Sequence, residues 1–390
     1  MTRPTIYLNN AATSWPKPQE VMEGMARALR ELVATPGRSG SAGLASERAL
    51  FEARETVAEF IGSSDSSRVI FTLNATAALN LAITGLLEAG DHVVTTSMDH
   101  NSVARPLARA ADVKGVEVHR VQADDQGQIS ADQIIEKITP RTRLIVLTHA
   151  SNVTGGIQPV EEICSIVRTV DGNRPLVLVD AAQSAGVLPI DVEKTEIDLL
   201  AVPGHKSLYG PQGTGFLYVR PGVELIPLVE GGTGGQSTLE RQPEELPDRF
   251  ESGTPNVPGI VALGQAVSYI SRRGVENIRS HESRLLRILT EGLSGIKGAA
   301  LFGPCDPSSQ IGVLSFLLEG MDPAEIGSFL ETSRGIIVRV GLHCSPCSHR
   351  SIGTFPEGTV RVSPGIFNTE DDVQALVEAV RDLQRARGVM

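Results

Sequence analysis

Short apolar runs alternate along the chain with stretches whose apolar residues recur at helical spacing, beginning at about residue 65. The runs LIVL and LVLV are apolar at every position, which is typical of strands buried on both faces of a parallel sheet. The predicted strands are VIFT (69–72), HVVTT (92–96), VEVHRV (116–121), RLIVLTH (143–149), LVLVD (176–180) and DLLAV (198–202), and the predicted helices are 75–87, 102–111, 131–138 and 160–170. This alternation predicts an α/β fold with a doubly wound, mainly parallel sheet.

The pattern changes after about residue 258. Two helical stretches (259–273 and 275–295) precede GVLSFLLEG, a helix near 323–332, IIVRV, TVRVS and a last helix over 370–385. That order predicts a smaller α+β domain. We therefore expect a large domain over 15–257 and a small domain made of 1–14 and 258–390. The Gly-rich, then acidic segment 231–248 fits either a mobile surface loop or the mouth of a site.

Composition and charge narrow the class of protein. Hydrophobic residues make up 41% of the chain and charged residues 21%, as in soluble globular proteins. The net charge of -11 gives no reason to expect nucleic acid or an anionic membrane as a partner. No apolar run approaches a membrane helix, and the start MTRPTIYLNN has no signal-peptide core. Four cysteines make no disulfide framework, so we expect a reducing cytoplasm.

Two charged residues suggest a cofactor. Asp180 ends an apolar strand, where ligands bind in doubly wound sheets, and Lys206 lies in the Gly-punctuated loop PGHKSLYGPQGTG. Such a pair suits pyridoxal phosphate (PLP), because a lysine forms an imine with its aldehyde while a carboxylate keeps the pyridine nitrogen protonated. Each residue alone also fits a structural role, Asp180 as a helix cap and Lys206 as a solvated lysine.

Further polar residues follow other predicted strands. Thr76 and Ala75, in NATAALN, open a helix whose free N–H groups would hold a phosphate, although Asn and Thr also cap helices routinely. His100, in MDHNSV, would stack on a planar ring, and Asn152, in HASNVTGG, again follows a strand. These residues and Asp180 should converge on one edge of the sheet.

Nine motifs now make the chain resemble a known family. They are YLNNAATSWPKP, NATAALNLA, MDHNSVARP, HASNVTGG, VDAAQSAG, GHKSLYGPQGTG, FESGTPNVPG, VRVGLHCSP and VRVSPGIFNT. In this order, nearly end to end, they are similar to the cysteine desulfurases of the class V aminotransferase group, especially the SufS/selenocysteine-lyase-like branch. The resemblance implies a fold-type I PLP-dependent transferase that converts L-cysteine, or alternatively L-selenocysteine, to L-alanine, and a role in sulfur mobilisation and iron–sulfur cluster assembly.

The resemblance also implies a role for each matching position. Lys206 would carry the PLP imine and move protons, Asp180 would pair with the pyridinium, and Gln183 would bond the ring's phenolic oxygen. His100 would stack on the ring. The phosphate would be held by Ala75, Thr76 and His205, and by Thr254 of the partner subunit in a homodimer with shared sites. Arg361, Arg339 and Asn152 would bind the substrate.

Two positions depart from the family's pattern, both near the phosphate. Ala75 stands where the family often has a second hydroxyl, and the family often has a Ser two residues before the His of its His–Lys pair, where this chain has Pro203–Gly204. The phosphate contacts are therefore the part of the site that the resemblance defines least.

The stretch GLHCSPCSHR (341–350) aligns the family's nucleophilic thiol with Cys344. The resemblance implies that the Cys344 thiolate takes the substrate's sulfur as a persulfide and passes it to a possible sulfur-acceptor protein, with His343 and Arg339 near enough in sequence to favour the thiolate. Cys347 would then be a neighbour, a second sulfur carrier or a disulfide partner. Of the other cysteines, Cys164 fits a helix core and Cys305 a turn.

Other readings of the chain remain open. HCSPCSH offers four N/S metal ligands, although structural zinc usually joins two separated pairs, so we predict no metal. A thioredoxin-like C-x-x-C is a second alternative, against which we expect no helix to open at this loop and note Pro346 directly before Cys347. The same scaffold also fits a selenocysteine lyase, a C–S lyase, an aminotransferase or a non-catalytic binding subunit.

Overall fold

The computed structural model describes residues 5–36, 40–170, 172, 174–235 and 238–387. The helices are α1 (Gln19–Glu31), α2 (Gly40–Phe60), α3 (Ala75–Leu86), α4 (Asn101–Lys114), α5 (Ala131–Ile135), α6 (Val160–Val167), α7 (Val192–Thr195), α8 (Val257–Arg273), α9 (Val275–Ser294), α10 (Pro323–Arg334), α11 (Pro346–Ser351) and α12 (Glu370–Arg387). The strands are β1 (Ile6–Tyr7), β2 (Val69–Thr72), β3 (His92–Thr96), β4 (Glu117–Val121), β5 (Thr142–Thr148), β6 (Leu176–Asp180), β7 (Leu199–Pro203), β8 (Gly215–Val219), β9 (Ala299–Phe302), β10 (Leu314–Leu318), β11 (Ile336–Ile337), β12 (Arg339–Gly341) and β13 (Thr359–Val362).

Seven strands form the central sheet, in the order β2-β8-β7-β6-β5-β3-β4. Only β8 runs antiparallel to its neighbours, so the sheet is mainly parallel, as predicted. Successive residues of β6 point to opposite faces, and Val177 and Val179 join one buried cluster while Leu178 joins the other. Apolar layers therefore cover the sheet on both faces, which is why its strands read as unbroken apolar runs.

A second, antiparallel sheet of four strands has the order β12-β13-β10-β9. Its buried residues pack with Leu285, Leu289 and Val377 of α9 and α12. At its side, β1 pairs in parallel with β11, bringing Ile6 opposite Ile336. The predicted α+β unit is therefore present, and the described part of the N-terminal segment pairs with it.

Helix α8 packs with the large sheet rather than with the small one. Its Ile260, Leu263 and Val267 belong to the apolar cluster on one face of the large sheet, and α8 also contacts α1 and α2. The domain boundary at residue 257 remains a prediction, and this packing favours a boundary at the C-terminal end of α8. Helices α1 and α2 themselves were not predicted.

Three predicted elements differ from the structure. The helix predicted over 131–138 spans only Ala131–Ile135, and the one predicted over 160–170 ends at Val167. In the segment 231–248, Gln236 and Ser237 lie outside the described residues, and the rest is irregular and mostly exposed. Among the described residues, no helix is long and apolar enough to cross a membrane.

Candidate active site

A cavity of about 190 Å³ lies at the carboxyl ends of the parallel strands, beneath the small sheet. Its lining includes the predicted residues Ala75, Thr76, His100, Asn152, Asp180, Gln183, His205, Lys206, Arg339, Cys344 and Arg361. Thr254 is the exception, because it is exposed in the turn before α8 and does not line this cavity. The structure thus brings together residues from both sheets and from the loops between them.

Asp180 is the last residue of β6, and its carboxyl is buried in the cavity wall. One oxygen, Oδ1, accepts a hydrogen bond from the backbone N–H of Ala182 at 3.0 Å. Burial raises the pKa of this carboxyl, and the ammonium of Lys206 opposes that rise. Thr148 lies opposite Asp180 in the sheet register, and its hydroxyl has no partner among the described residues. A cationic ring nitrogen would give Asp180 the counter-charge that its burial calls for.

Lys206 lies in the loop that follows β7, at the same edge of the sheet. Burial lowers the pKa of its ammonium to about 8, with Asp180 opposing that fall. A buried lysine with a lowered pKa has a larger share of the neutral amine that attacks a carbonyl. The sequence predicted Lys206 from its loop and its motif. The structure adds that its ammonium is buried.

The N-terminal segment holds the backbone around Lys206, which the sequence did not reveal. The backbone N–H of Ser14 donates to the carbonyl oxygen of His205 at 3.0 Å, and the Ser14 Oγ lies 2.8 Å from the carbonyl oxygen of Lys206. Lys17 Nζ donates both to Ser14 Oγ, at 2.8 Å, and to the carbonyl oxygen of His205, at 3.0 Å. Ser14 and Lys17 lie in the quoted motif YLNNAATSWPKP, so their place in the sequence was visible but their contacts were not.

His100 caps the N-terminus of α4. The backbone N–H of Ser102 donates to its Nδ1 at 3.1 Å, so Nδ1 is unprotonated and the neutral ring carries its proton on Nε2. Burial, then the charge of Lys206, lowers the pKa of this ring to about 4. The His100 ring is therefore neutral at physiological pH and presents a flat, uncharged face, which suits stacking on an aromatic ring.

Thr76 opens α3, and a second hydroxyl lies beside it. The Oγ1 of Thr76 lies 2.7 Å from the Oγ of Ser102, which also lines the cavity. Ser102 thus brings the hydroxyl that is missing at Ala75, from a different helix, and sequence reasoning missed it. The sequence signal for Ser102 was its position two residues after His100, at the start of a helix.

The second departure is at Pro203–Gly204, directly before His205. A Cβ atom on Gly204 would lie 2.2 Å from the Oγ1 of Thr214, so no side chain fits at this position. His205 follows, and burial, then the charge of Lys206, lowers the pKa of its ring to about 4. A neutral His205 ring offers a hydrogen bond to a phosphate rather than a charge.

Gln183 and Arg361 contact the N-terminal segment as well as the cavity. Gln183 donates from Nε2 to the carbonyl oxygen of Ala11 at 3.0 Å. Arg361, on β13, is buried and donates from Nη2 to Asn9 Oδ1 at 3.3 Å and from Nη1 to the carbonyl oxygen of Asn152 at 2.9 Å. Burial, then the nearby charge of Arg339, lowers the pKa of Arg361 to about 9. Two cationic guanidinium groups in one cavity favour an anionic ligand such as a carboxylate.

Cys344 lies on the loop between β12 and α11 and is exposed at the cavity. The Nη2 of Arg339 lies 3.8 Å from its sulfur, so the guanidinium would stabilise a thiolate there. His343 and Cys344 have φ of 50° and 61°, a left-handed conformation that is uncommon outside glycine. This conformation turns the chain so that the sulfur reaches the cavity.

The prediction that no helix opens at this loop is wrong. Pro346 begins the six-residue helix α11, because proline is well suited to a first helical position. Cys347 lies in this helix, half-buried, and does not line the cavity. His343 and His349 bond the hydroxyls of Thr359 and Thr354. In the part of the chain that the structure describes, no group of three or more His, Cys, Asp or Glu could hold a metal ion.

The remaining cysteines lie elsewhere. Cys164 is buried in α6 within the large core, as predicted, and burial raises the pKa of its thiol to about 12. Cys305 is half-buried near the small sheet, and burial raises the pKa of its thiol too. Neither thiol lines the cavity, so Cys344 is the cysteine positioned for chemistry there.

The residues present fit PLP. The cavity offers a buried carboxylate for the pyridinium, a buried amine for the aldehyde, a neutral imidazole for the ring face and paired hydroxyls at a helix N-terminus for the phosphate. Thr148 and His205 each contribute a buried polar atom without a partner among the described residues. A bound polar ligand would supply those partners.

Comparison with known proteins identifies the family. The family described as aminotransferase class-V matches residues 6–376. A probable cysteine desulfurase of Methanothermobacter thermautotrophicus is 37% identical over 98% of this chain and 96% of its own length. A probable cysteine desulfurase of Mycolicibacterium paratuberculosis is 34% identical, and this chain spans 55% of that longer protein.

A solved structure shows the same architecture. The apo structure of a cysteine desulfurase from Thermococcus onnurineus superposes with a TM-score of 0.91 at 32% identity, covering 98% of this chain and 95% of the other. The cavity residues, the family match and these relatives agree, and the chain belongs to the PLP-dependent class V aminotransferases as a member of their cysteine desulfurase family.

Proposed function

We propose that the protein converts L-cysteine to L-alanine with PLP and accepts the sulfur on Cys344 as a persulfide. The observation that carries the proposal is the position of the Cys344 thiol, which lines the same cavity as Lys206, Asp180 and Arg361. A thiol is not needed for PLP binding or for transamination. Its presence beside the guanidinium of Arg339 favours sulfur transfer over the other reactions of this scaffold.

Each wall of the cavity would have a separate task. Arg361 would bind the substrate carboxylate, with Arg339 and Asn152 beside it. Asp180, Gln183, His100, Thr76, Ala75 and His205 would hold the cofactor. When bound, PLP supplies an electron-accepting ring conjugated to the substrate amine. Lys206 would hold the cofactor through Nζ and then carry a proton between substrate carbons, for which a pKa lowered to about 8 is well suited.

The sulfur step involves only two sulfur atoms and one carbon. The Cys344 thiolate attacks the substrate sulfur, an S–S bond forms, and the substrate's C–S bond breaks. The electron pair of that bond stays with the carbon skeleton, which takes up a proton and leaves as alanine. The exposed position of Cys344 then lets an acceptor molecule reach the persulfide.

The proposal includes a homodimer with shared active sites, which the position of Thr254 supports. This residue is exposed and lies outside the cavity of its own chain, as expected if it reaches the phosphate in a partner's site. Large apolar side chains are exposed on α1, α2 and nearby loops, among them Leu29, Leu44, Phe51 and Ile226. Covering them with a second copy would remove apolar surface from water. Sulfur delivery to an acceptor protein for iron–sulfur cluster assembly, in the cytoplasm, completes the proposal.

Replacing the thiol tests this function directly. PLP-loaded Cys344→Ala should keep the yellow absorbance of a PLP imine, at roughly 420 nm. It should lose alanine and persulfide formation from cysteine by at least roughly a thousandfold, as the loss of an enzymic nucleophile does. Alanine and sulfide are quantified, and the persulfide is located by mass spectrometry.

Cys347→Ala is the matched control, since it removes a thiol three positions away that does not line the cavity. It should leave turnover and persulfide lifetime unchanged. Undiminished alanine formation in Cys344→Ala would show that the persulfide mechanism is wrong. Turnover of selenocysteine alone by the native protein would instead identify a selenocysteine lyase.

A further inference from the structure

Asn152 uses both ends of its side-chain amide on the two residues that flank Cys344. Its Nδ2 donates to the carbonyl oxygen of His343 at 2.7 Å, and its Oδ1 accepts from the Oγ of Ser345 at 2.7 Å. All three residues are buried, and Ser345 is fully so. The Asn152 amide, which belongs to the large-sheet side of the cavity, therefore holds the residues on both sides of the exposed Cys344, which belongs to the small-sheet side.

The chemistry of these partners allows only one orientation of the amide. The carbonyl oxygen of His343 can only accept, so the Nδ2 of Asn152 must face it. The Oδ1 must then face Ser345, and only a donor there can satisfy it. A hydroxyl meets this requirement, whereas an alanine would leave a buried carbonyl oxygen without a partner. The His343 carbonyl thus sets the orientation of the amide, and the Ser345 hydroxyl satisfies the Oδ1 and holds the amide in place.

The loop needs such a restraint because its backbone is strained. His343 and Cys344 are consecutive non-glycine residues with φ of 50° and 61°, and such residues keep this conformation only where their surroundings impose it. Asn152 holds the carbonyl of His343, and the backbone N–H of Asn101 donates to the carbonyl of Cys344 at 2.9 Å. Without the Asn152 restraint, the strained turn loses one of its two anchors on the large domain.

Asn152 also connects this loop to Arg361. Its carbonyl oxygen accepts from Arg361 Nη1 at 2.9 Å. The guanidinium that we assign to the substrate carboxylate and the loop that carries the nucleophile are therefore held by the same residue.

We propose that Ser345 is a positioning residue for the nucleophile: by fixing the Asn152 amide, it holds the loop in the conformation that presents Cys344 to the substrate sulfur. This inference rests on the proposed function, since it takes Cys344 as the sulfur acceptor. Ser345 does not line the cavity, and Asn152 holds Arg361 through its backbone carbonyl rather than through its amide, so we expect loss of Ser345 to affect the transfer step more than binding.

The test compares Ser345→Ala with Ser348→Ala. Ser348 lies in α11 and is also fully buried, but its hydroxyl has no partner among the described residues, so the control removes the same atom without a hydrogen bond. Single-turnover persulfide formation is measured with PLP-loaded protein, alongside KM for cysteine. Ser345→Ala should lower the rate of persulfide formation by roughly three- to tenfold, the effect of one buried hydrogen bond, with KM changed less than twofold.

A second readout uses the protein without cofactor or substrate. Backbone amides of residues 342–349 should exchange with deuterium faster in Ser345→Ala than in native protein, and at the native rate in Ser348→Ala. Ser345→Thr, which keeps the hydroxyl, should restore both persulfide formation and slow exchange. It also serves as the informative variant if Ser345→Ala does not fold.

Equal behaviour of Ser345→Ala and Ser348→Ala in both readouts would overturn the inference, as would a Ser345→Thr variant as impaired as Ser345→Ala. The proposed function fails by a different result, namely alanine formation that persists in Cys344→Ala. The two failures can therefore be told apart.

Discussion

The two sides of the cavity are built in opposite ways. On the cofactor side, Asp180, Lys206 and Thr76 lie at the ends of a strand or helix, or in the loop that follows one, in the large domain. On the thiol side, Cys344 is exposed on a short loop with two consecutive left-handed residues, and contacts to Asn152 and Asn101 across the domain boundary hold it. One side owes its geometry to the sheet and the other to a few hydrogen bonds.

The difference follows from what each side has to do. A group that holds a cofactor keeps one position through the whole reaction, so rigid elements suit it. A thiol that receives sulfur in the cavity and gives it up outside has to be reachable from both, and an exposed loop allows that. The comparison predicts that substitutions on the cofactor side impair PLP binding, whereas substitutions on the thiol side impair sulfur transfer.

The largest effect is expected from Asp180→Ala. Removing this buried carboxylate leaves the pyridinium without its counter-charge, and breaking a buried ion pair costs about 3–5 kcal/mol. PLP affinity, measured by titrating the unloaded protein and following absorbance, should fall by roughly a hundredfold or more. A variant that binds PLP with native affinity would contradict the pairing of Asp180 with the pyridinium. It would also contradict the assignment of PLP binding to the cofactor side.

A smaller effect is expected from Arg361→Lys, on the small-domain side of the cavity. A lysine keeps the charge but loses the planar fork that a carboxylate matches, and it also loses the bond to the Asn152 carbonyl. KM for cysteine should rise by roughly tenfold, the factor for one charge-assisted hydrogen bond, while PLP affinity stays native. Steady-state kinetics at saturating PLP measure KM, and a PLP titration of the unloaded variant measures the affinity. An unchanged KM would move the carboxylate site elsewhere, with Arg339 as the next candidate.

A third effect concerns acid stability, to which both sides contribute. Burial lowers the pKa of His100, His149, His205 and His349 to about 4 and that of His343 to about 2. Each folded pKa lies below the unfolded value of roughly 6.5, so the unfolded chain binds more protons between about pH 6.5 and 4. The contribution of these histidines to the free energy of unfolding should therefore fall as the pH falls through that window, by up to about 1.4 kcal/mol per pH unit for each ring. Burial raises the pKa of Asp99 to about 7 and that of Glu282 to about 8, so these two carboxyls act in the opposite direction.

Urea unfolding of the protein without PLP, at several pH values, measures this slope. His349→Asn removes one ring on the thiol side, so it should reduce the slope by the contribution of one bound proton. The large-domain histidines should account for most of the remaining histidine contribution. A slope that is the same in His349→Asn as in the native protein would contradict the lowered pKa of the His349 ring.

What the sequence predicted follows the same division. Asp180, His100 and Asn152 were found because parallel strands end at one edge, so that residues far apart in the sequence meet there without any knowledge of packing. The partners of those residues were not found. The Asn152 amide meets His343 191 positions away, and Ser14 meets His205 191 positions away, and no local pattern records such a contact.

The missed helices have a related cause. Helix α1 buries Val21, Gly24 and Ala28, few residues and small ones, and it packs against α8. The partner of α1 is a helix more than two hundred positions later, and no local pattern records that contact. Cys344 was identified by its motif, and the helix that follows it begins at Pro346, a residue favoured at a first helical position.

The pairing of β1 with β11 sets the order in which the protein can be completed during synthesis. Ile6 needs Ile336 as its partner, and Asn10 donates to the carbonyl of Ser363, 353 positions later. At ribosomal rates of roughly 5–20 residues per second, the N-terminal segment leaves the ribosome tens of seconds before its partners. The large sheet can form in that interval, while the segment that fixes the backbone of Lys206 lacks its partners in the small domain. The backbone of Lys206 would thus be fully held only after Ser363 has been made.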